Sequence, residues 1–133
     1  MTFALAGQVR VTAWEGDPAA VDALRAAVNR ARLAGRIEAT QRDLIRQPLQ
    51  RKELGGFAAI VLDPPHDGAP AQIAEVAASG VKSVIYVSCN PASLARDAAA
   101  LRNAGYELAK VQPIDQFLWS ARLESVATFV RGR

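Results

Sequence analysis

Cys89 is the residue whose type and position point most directly to chemistry. It follows a run rich in β-forming residues, Val81–Ser88, and precedes a helical pattern that begins at Pro91. Asn90 is a suitable N-cap residue, so the thiol would lie beside free backbone N–H groups and the positive end of the helix dipole. Both favour the thiolate, which is the nucleophilic form. A small buried cysteine at a strand end is the alternative, and position alone does not decide between the two.

Asp63 follows a second strand-like run, the apolar segment Phe57–Leu62, which predicts a buried parallel strand. Pro64 and Pro65 come next, and two prolines stiffen the turn and remove two backbone donors. Ligands bind at the carboxyl ends of strands in parallel sheets, so the Asp63 carboxylate would point toward whatever binds there. The alternative is a turn that happens to contain an aspartate.

Three further acidic residues lie beside strand patterns. Glu15 ends the first of these patterns, where an acid in a nucleotide-binding fold accepts hydrogen bonds from ribose hydroxyls. Asp43 follows the next strand and could contact a base edge, although both residues could equally be ordinary caps. Glu124 introduces the last apolar strand, where burial would raise the pKa of a carboxyl and make it a base. Taken alone, Glu124 is better explained as a charge that protects an exposed sheet edge.

The composition excludes several kinds of site. Cys89 is the only cysteine and His66 the only histidine, so neither an internal disulfide nor a site with several histidines can form within the chain, and we expect no metal. The net charge of +3 permits an RNA partner without requiring one. No apolar run reaches the roughly 18 residues of a membrane helix. No signal-peptide pattern is present, so we expect a cytoplasmic protein.

Strand-like runs alternate with helical patterns along the chain, which predicts an α/β fold with a mostly parallel sheet in a single domain over residues 1–133. The predicted strands are Val9–Trp14, Ile37–Gln41, Phe57–Leu62, Val81–Ser88, Tyr106–Ile114 and Ser125–Arg131. The predicted helices are one from Asp17-Pro18 to Gly35, Ala71–Ser79 and Pro91–Ala104. No helix-length segment separates the last two strands, which predicts an antiparallel pair that closes the sheet.

Taken together, these motifs resemble the RNA uracil C5-methyltransferases, which make 5-methyluridine in 23S ribosomal RNA and in transfer RNA. The resemblance covers Thr2 to Arg131, and its most specific part is S-C-N-P-x-x-L-x-R-D, residues 88–97. The motifs that carry it are Leu62-Asp63-Pro64-Pro65, Tyr86 to Asp97, Gly105-Tyr106, Asp115-Gln116-Phe117 and Leu123-Glu124-Ser125-Val126-Ala127. It implies the C-terminal catalytic part of such an enzyme, with a Rossmann-like class I methyltransferase sheet, S-adenosylmethionine as cofactor and RNA, foremost 23S rRNA, as partner.

The resemblance also implies a role for each candidate residue. Cys89 adds to C6 of the uracil as the nucleophile, and Glu124 removes the C5 proton as the base. The cofactor-binding residues are Glu15 at the ribose, Asp43 on the adenine side and Asp63 near the methionine end. The substrate-binding residues are Pro64, Pro65 and Asn90.

The sequence departs from the family pattern in several places. The first strand of the family's sheet, the Gly-rich cofactor loop after it and the N-terminal RNA-binding portion have no counterpart here. His66 stands where the family usually has arginine, Arg122 stands in place of a histidine near the base, and Leu118 replaces a proline. We therefore expect weak cofactor binding by this chain, and an exposed sheet edge through which two copies could associate.

Three functions are consistent with these features. The first is RNA uracil C5 methylation, expected only if something supplies the missing strand and cofactor loop. The second is an inactive methyltransferase-like domain that retains RNA or partner binding. The third is methylation of an amino group with Asp63-Pro64-Pro65 at the site, against which the Ser88–Pro91 motif argues.

Overall fold

The computed structural model describes residues 1–115 and 123–132. The chain divides into two compact units, residues 1–48 and 49–133, and each has its own sheet. The helices are α1 (Thr2–Ala6), α2 (Pro18–Arg30), α3 (Arg51–Leu54), α4 (Pro70–Ser79) and α5 (Pro91–Asn103). The strands are β1 (Val11–Glu15), β2 (Ile37–Gln41), β3 (Ala59–Leu62), β4 (Ser83–Ser88), β5 (Tyr106–Ile114) and β6 (Glu124–Arg131).

The first unit is built on a parallel pair, β1 and β2, with Val11 opposite Ile37 and Glu15 opposite Gln41. The helix α2 connects these strands and begins as expected from the sequence, with Asp17 Oδ1 accepting from the Ala19 amide at 2.9 Å. Its apolar side and α1 supply the core of this unit. The core residues are Ala6, Val28 and Ile37, with Val11, Leu24 and Leu33 packed against them.

The second unit has strands in the order β3-β4-β6-β5 within the described part of the chain. The strand β3 runs parallel to β4, whereas β6 is antiparallel to both β4 and β5. Side chains on β4 and β6 alternate between buried and half-buried, as expected for one covered face. The covering helix is α5, which packs on β4, β5 and α4. The largest buried side chains include Tyr86, Phe129, Ile73 and Leu101.

These observations confirm the α/β class, the parallel pairs and the antiparallel terminal pair. The short helices α1 and α3 were not expected, and the first strand begins at Val11 because Val9 still belongs to the turn after α1. The prediction that the third strand is buried is wrong for one of its faces, since Ala59 and Val61 are exposed. Its neighbour among the described strands is β4 alone, so β3 lies at an edge of the sheet. The expectation of one domain over residues 1–133 stays a prediction.

In residues 1–115 and 123–132, no helix combines the length and the hydropathy that a membrane crossing requires. The same residues contain no group of three or more Cys, His, Asp or Glu side chains placed to hold a metal ion.

Candidate active site

The turn that carries Cys89 is fixed by hydrogen bonds on both sides. The Ser88 hydroxyl accepts from the Asn90 amide and donates to the Asn90 carbonyl, each at 3.0 Å. Asn90 Oδ1 accepts from the Ala92 amide at 3.0 Å, which confirms Asn90 as the N-cap of α5. Cys89 is a free, half-buried thiol between these anchored residues. Its backbone is therefore held where β4 ends and the N-terminus of α5 begins, as the sequence predicts.

The loop formed by residues 63–69, here called the Asp63 loop, follows β3. Asp63 is exposed, Pro64 is half-buried and Pro65 is exposed. The Gly68 amide donates to the Pro65 carbonyl at 2.8 Å, and Gly68 adopts a φ of 77°, which closes the loop as a tight turn.

Asn90 joins the Asp63 loop to the Cys89 turn. Its Nδ2 donates to the carbonyl of His66 at 3.0 Å and lies 3.5 Å from His66 Nδ1. The His66 ring also approaches Asp67, with Nδ1 3.5 Å from the carboxylate. Both ends of the Asn90 amide therefore have partners within the chain. Its predicted contact with substrate stays a prediction.

Strand register brings the predicted nucleophile and base to the same end of the sheet. Ser88, which precedes Cys89, lies opposite Ser125, which follows Glu124. Glu124 is half-buried and opposite Ile114. Asp63 joins the same end, because Leu62 lies opposite Tyr86 on the parallel neighbour β4. In the second unit, Asp63, Cys89 and Glu124 therefore lie at the same end of the strands.

Glu15 and Asp43 come together in the first unit, at the carboxyl ends of the parallel pair β1 and β2. Glu15 is exposed, and its Oε1 accepts from the Asp17 amide at 2.9 Å. Asp43 Oδ1 accepts from the Ile45 and Arg46 amides at 3.1 and 3.2 Å. Both carboxylates therefore serve as local caps, which was the alternative explanation for each. Their predicted contacts with the cofactor stay predictions.

A buried carboxylate on α5, to which the sequence analysis gave no role, lies behind this end of the strands. Asp97, only 1% exposed, accepts from the Tyr86 hydroxyl at 2.6 Å, from the Ala69 amide at 3.0 Å and from Arg96 Nε at 2.9 Å. Burial, and then the bond to Asp97, raise the pKa of Tyr86 above its ordinary range. One signal was available, because Ser93, Asp97 and Leu101 recur at a spacing of four on α5 and all three are buried.

Some of the residues quoted in the sequence analysis lie outside the described part of the chain. They are Gln116 and Phe117 of the D-Q-F motif, and the departures Leu118 and Arg122.

The strands and helices form an α/β fold of the Rossmann-like, class I methyltransferase type. The solved tRNA (uracil-54, C5)-methyltransferase of Pyrococcus abyssi, in complex with S-adenosyl-L-homocysteine, superposes with a TM-score of 0.79 over 93% of this chain and 29% of that chain. At 23% identity this likeness concerns the fold.

Sequence comparison identifies the family. The model of the tRNA (Uracil-5-)-methyltransferase family matches residues 23–131, and the chain belongs to that family. An uncharacterized RNA methyltransferase of Rhizobium meliloti is 51% identical over 129 residues, which are 96% of this chain and 31% of that protein. A 23S rRNA (uracil-C5)-methyltransferase of Pseudomonas aeruginosa is 46% identical over 77 residues, 58% of this chain and 17% of that protein. The chain spans about a third of the length of the relative from Rhizobium meliloti.

Proposed function

We propose that this domain carries the catalytic residues for methyl transfer from S-adenosylmethionine to C5 of a uridine in RNA. The observation that carries the proposal is the register of β4 and β6, which brings Cys89 and Glu124 to one end of the sheet. Membership of the uracil-5-methyltransferase family supports it. The chain spans about a third of the Rhizobium meliloti relative, so the activity of such whole proteins is proposed, and not shown, for this chain.

The proposed chemistry assigns one step to each of the two residues. Uracil C5 is a poor nucleophile, so the Cys89 thiolate adds to C6 and shifts electrons from the C5–C6 double bond onto C5 and O4. S-adenosylmethionine supplies the electrophilic methyl group that C5 then takes. Glu124 removes the proton from C5, the double bond re-forms, and Cys89 leaves C6 as the thiolate.

The residues proposed to hold the cofactor have suitable chemistry. Glu15 and Asp63 present exposed carboxylates at the carboxyl ends of parallel strands, where ligands of such sheets bind. Glu15 would accept from the ribose hydroxyls, Asp43 would face the adenine, and Asp63 would face the methionine amino group. Pro64, Pro65 and Asn90 would border the target base.

The proposed RNA is 23S ribosomal RNA. The Pseudomonas aeruginosa relative is named for a uracil of 23S rRNA, whereas the Pyrococcus abyssi enzyme is named for a transfer RNA and is similar at only 23% identity. An RNA substrate of this kind would place the protein in the cytoplasm.

An inactive domain that keeps RNA or partner binding is the second candidate. It is favoured by the hydrogen bonds of Glu15 and Asp43, whose carboxylate oxygens already accept from backbone amides of their own turns.

Transfer of a labelled methyl group to uridine-containing RNA tests the proposal. With S-adenosylmethionine at high concentration, to offset the weak binding expected of this chain, label should appear at C5 of uridine with the unaltered chain. Label should be lost with Cys89→Ala, whose fold circular dichroism checks. Methylation that survives in Cys89→Ala would overturn the covalent mechanism. The absence of methylation in a folded, RNA-binding sample would favour the second candidate.

We also propose that two copies associate through β3. This strand has an apolar sequence, Ala-Ile-Val-Leu, and Val61 is 37% exposed on it. An apolar edge strand without a charge or proline is a template for pairing. Size-exclusion chromatography with light scattering should show a dimer that Val61→Lys converts to a monomer. A monomer of the unaltered chain at all concentrations would contradict this.

A further inference from the structure

The strongest polar network in the second unit lies behind the candidate site and connects separate elements. Asp97 belongs to α5, its partner Tyr86 to β4, and its partner Ala69 to the end of the Asp63 loop. Asp97 and Tyr86 are 1% and 0% exposed. A buried carboxylate is stable only when its oxygens have donors, so this network fixes the spacing of the three elements.

Arg96 extends the network to a second point of the loop. Its Nε and Nη2 each lie 2.9 Å from Asp97 Oδ1, and Nη2 also donates to the carbonyl of Asp67 at 2.8 Å. The loop is therefore held at Asp67 and at Ala69, on either side of Gly68.

Gly68 is what allows this close approach. A Cβ atom built on Gly68 would lie 2.6 Å from Arg96 Nη2 and 2.6 Å from Asp97 Oδ2, and its φ of 77° is unfavourable for other residues. The loop backbone thus lies directly on the Arg96–Asp97 pair. Together with the bond from Asn90 to His66, the network attaches the loop to α5 near its N-terminus, beside the Cys89 turn.

We propose that Asp97, held by Tyr86 and Arg96, is a positioning residue that sets the Asp63 loop against the Cys89 turn for methyl transfer. The contribution of this role to methyl transfer rests on the proposed function. The positional part is independent of that function, because it concerns the order of the loop and the environment of the thiol. Asp97 acts through the loop backbone, and Tyr86 acts through Asp97.

The test compares two buried tyrosines of the same unit. Tyr86→Phe removes the hydroxyl that bonds Asp97, whereas Tyr106→Phe removes a hydroxyl that donates to the Val81 carbonyl at 2.6 Å, away from the loop. Both side chains are at most 2% exposed, so each change removes one buried hydroxyl at constant packing. The Tyr106 hydroxyl also lies 3.4 Å from the Val76 carbonyl, so its removal is at least as costly as that of the Tyr86 hydroxyl. The readouts are hydrogen–deuterium exchange of the backbone amides of residues 66–69 and the rate of Cys89 alkylation by iodoacetamide. Neither requires cofactor, RNA or activity.

Tyr86→Phe should speed exchange in the loop by about threefold to tenfold, the population change expected from one lost hydrogen bond. It should also raise the alkylation rate of Cys89, because the loop and the turn share the Asn90–His66 contact. Tyr106→Phe should leave both readouts unchanged. Asp97→Asn should exceed Tyr86→Phe in both, and the Phe variant decides the matter if the Asn variant does not fold. Equal loop exchange in Tyr86→Phe and Tyr106→Phe would overturn the proposal, whatever the fate of the methyl-transfer assay.

Discussion

The Asn90 side chain donates from Nδ2 to the His66 carbonyl at 3.0 Å while its Oδ1 caps α5 through the Ala92 amide at 3.0 Å. One amide therefore attaches the Asp63 loop and begins the helix that follows Cys89. This double use explains why an asparagine, rather than another N-cap residue, suits the position. Aspartate would cap the helix equally well, but its carboxylate has no hydrogen to donate to His66.

Replacement of Asn90 separates these two roles. Asn90→Ala should lower the free energy of unfolding by about 1 kcal/mol through loss of the cap. Asn90→Asp should keep that stability, because its carboxylate also accepts at the helix N-terminus and favours the dipole. Chemical denaturation measures both values. Equal destabilisation by Ala and Asp would mean that the cap contributes little and the contact with His66 dominates.

Gly68 should tolerate no side chain. Gly68→Ala combines a left-handed backbone with a Cβ pressed onto Arg96 and Asp97, and should cost at least about 2 kcal/mol of unfolding free energy. Gly56→Ala is the matched control, since its Cβ would meet nothing within 4 Å. That control should change stability by no more than about 0.5 kcal/mol. A Gly68→Ala chain as stable as the control would show that the loop is free to move away from α5.

The buried Tyr86 hydroxyl predicts a specific loss of stability in alkali. Its pKa is raised in the folded chain by burial and by the bond to Asp97. The unfolded chain therefore releases this proton first, above tyrosine's ordinary pKa of about 10, and the stabilisation is present below that pH and falls above it. The unfolding free energy should decrease by up to about 1.4 kcal/mol per pH unit in that range from this group.

Tyr86→Phe provides the comparison for this alkaline effect. The variant should be less stable than the unaltered chain at neutral pH. The difference in unfolding free energy between them should shrink as the pH rises from about 10 toward the raised pKa of Tyr86 in the folded chain. Urea denaturation at a series of pH values measures the difference. A difference that stays constant or grows in alkali would contradict the account of Tyr86.

Calorimetric titration with S-adenosylhomocysteine should show weak binding or none. The compound occupies the cofactor site without reacting. Glu15 and Asp43, two of the residues proposed to hold the cofactor, already use carboxylate oxygens on backbone amides of their own turns. A low-micromolar dissociation constant would contradict this prediction and would show that these carboxylates suffice.

The sequence predicted those parts of the fold that depend on local pattern. Asp17 and Asn90 have the residue types that cap helices, and each is followed by a proline at the first turn, so both helix starts could be predicted. The lack of a helix-length segment between the last two strands likewise predicted their antiparallel pairing. Burial of Val61 could not be judged in this way, because it depends on which strand lies beside β3 rather than on the residues of β3.

In the candidate site, too, residues in local motifs could be predicted, whereas contacts between distant residues could not. Cys89, Asp63 and Glu124 each lie at a strand boundary in a specific motif, and the roles that the family resemblance implies for them stay predictions. Asp97 was missed as a functional element because its importance lies in contacts with Tyr86 and Ala69, 11 and 28 residues away. Capping by Glu15 and Asp43 was recognised as an alternative, and only the coordinates identify the amides that they accept from.

Exchange of the C5 hydrogen of uridine for deuterium tests the central claim most directly. Addition of Cys89 to C6 makes C5 basic, so C5 takes a deuteron from D2O. Removal of the original C5 proton and loss of Cys89 then restore the double bond, so uridine in RNA should gain deuterium without any cofactor. Mass spectrometry of the digested RNA measures the gain. The account predicts exchange with the unaltered chain, little with Glu124→Gln and none with Cys89→Ala. Exchange that persists in Cys89→Ala, or its absence in a folded chain that binds the RNA, would contradict it.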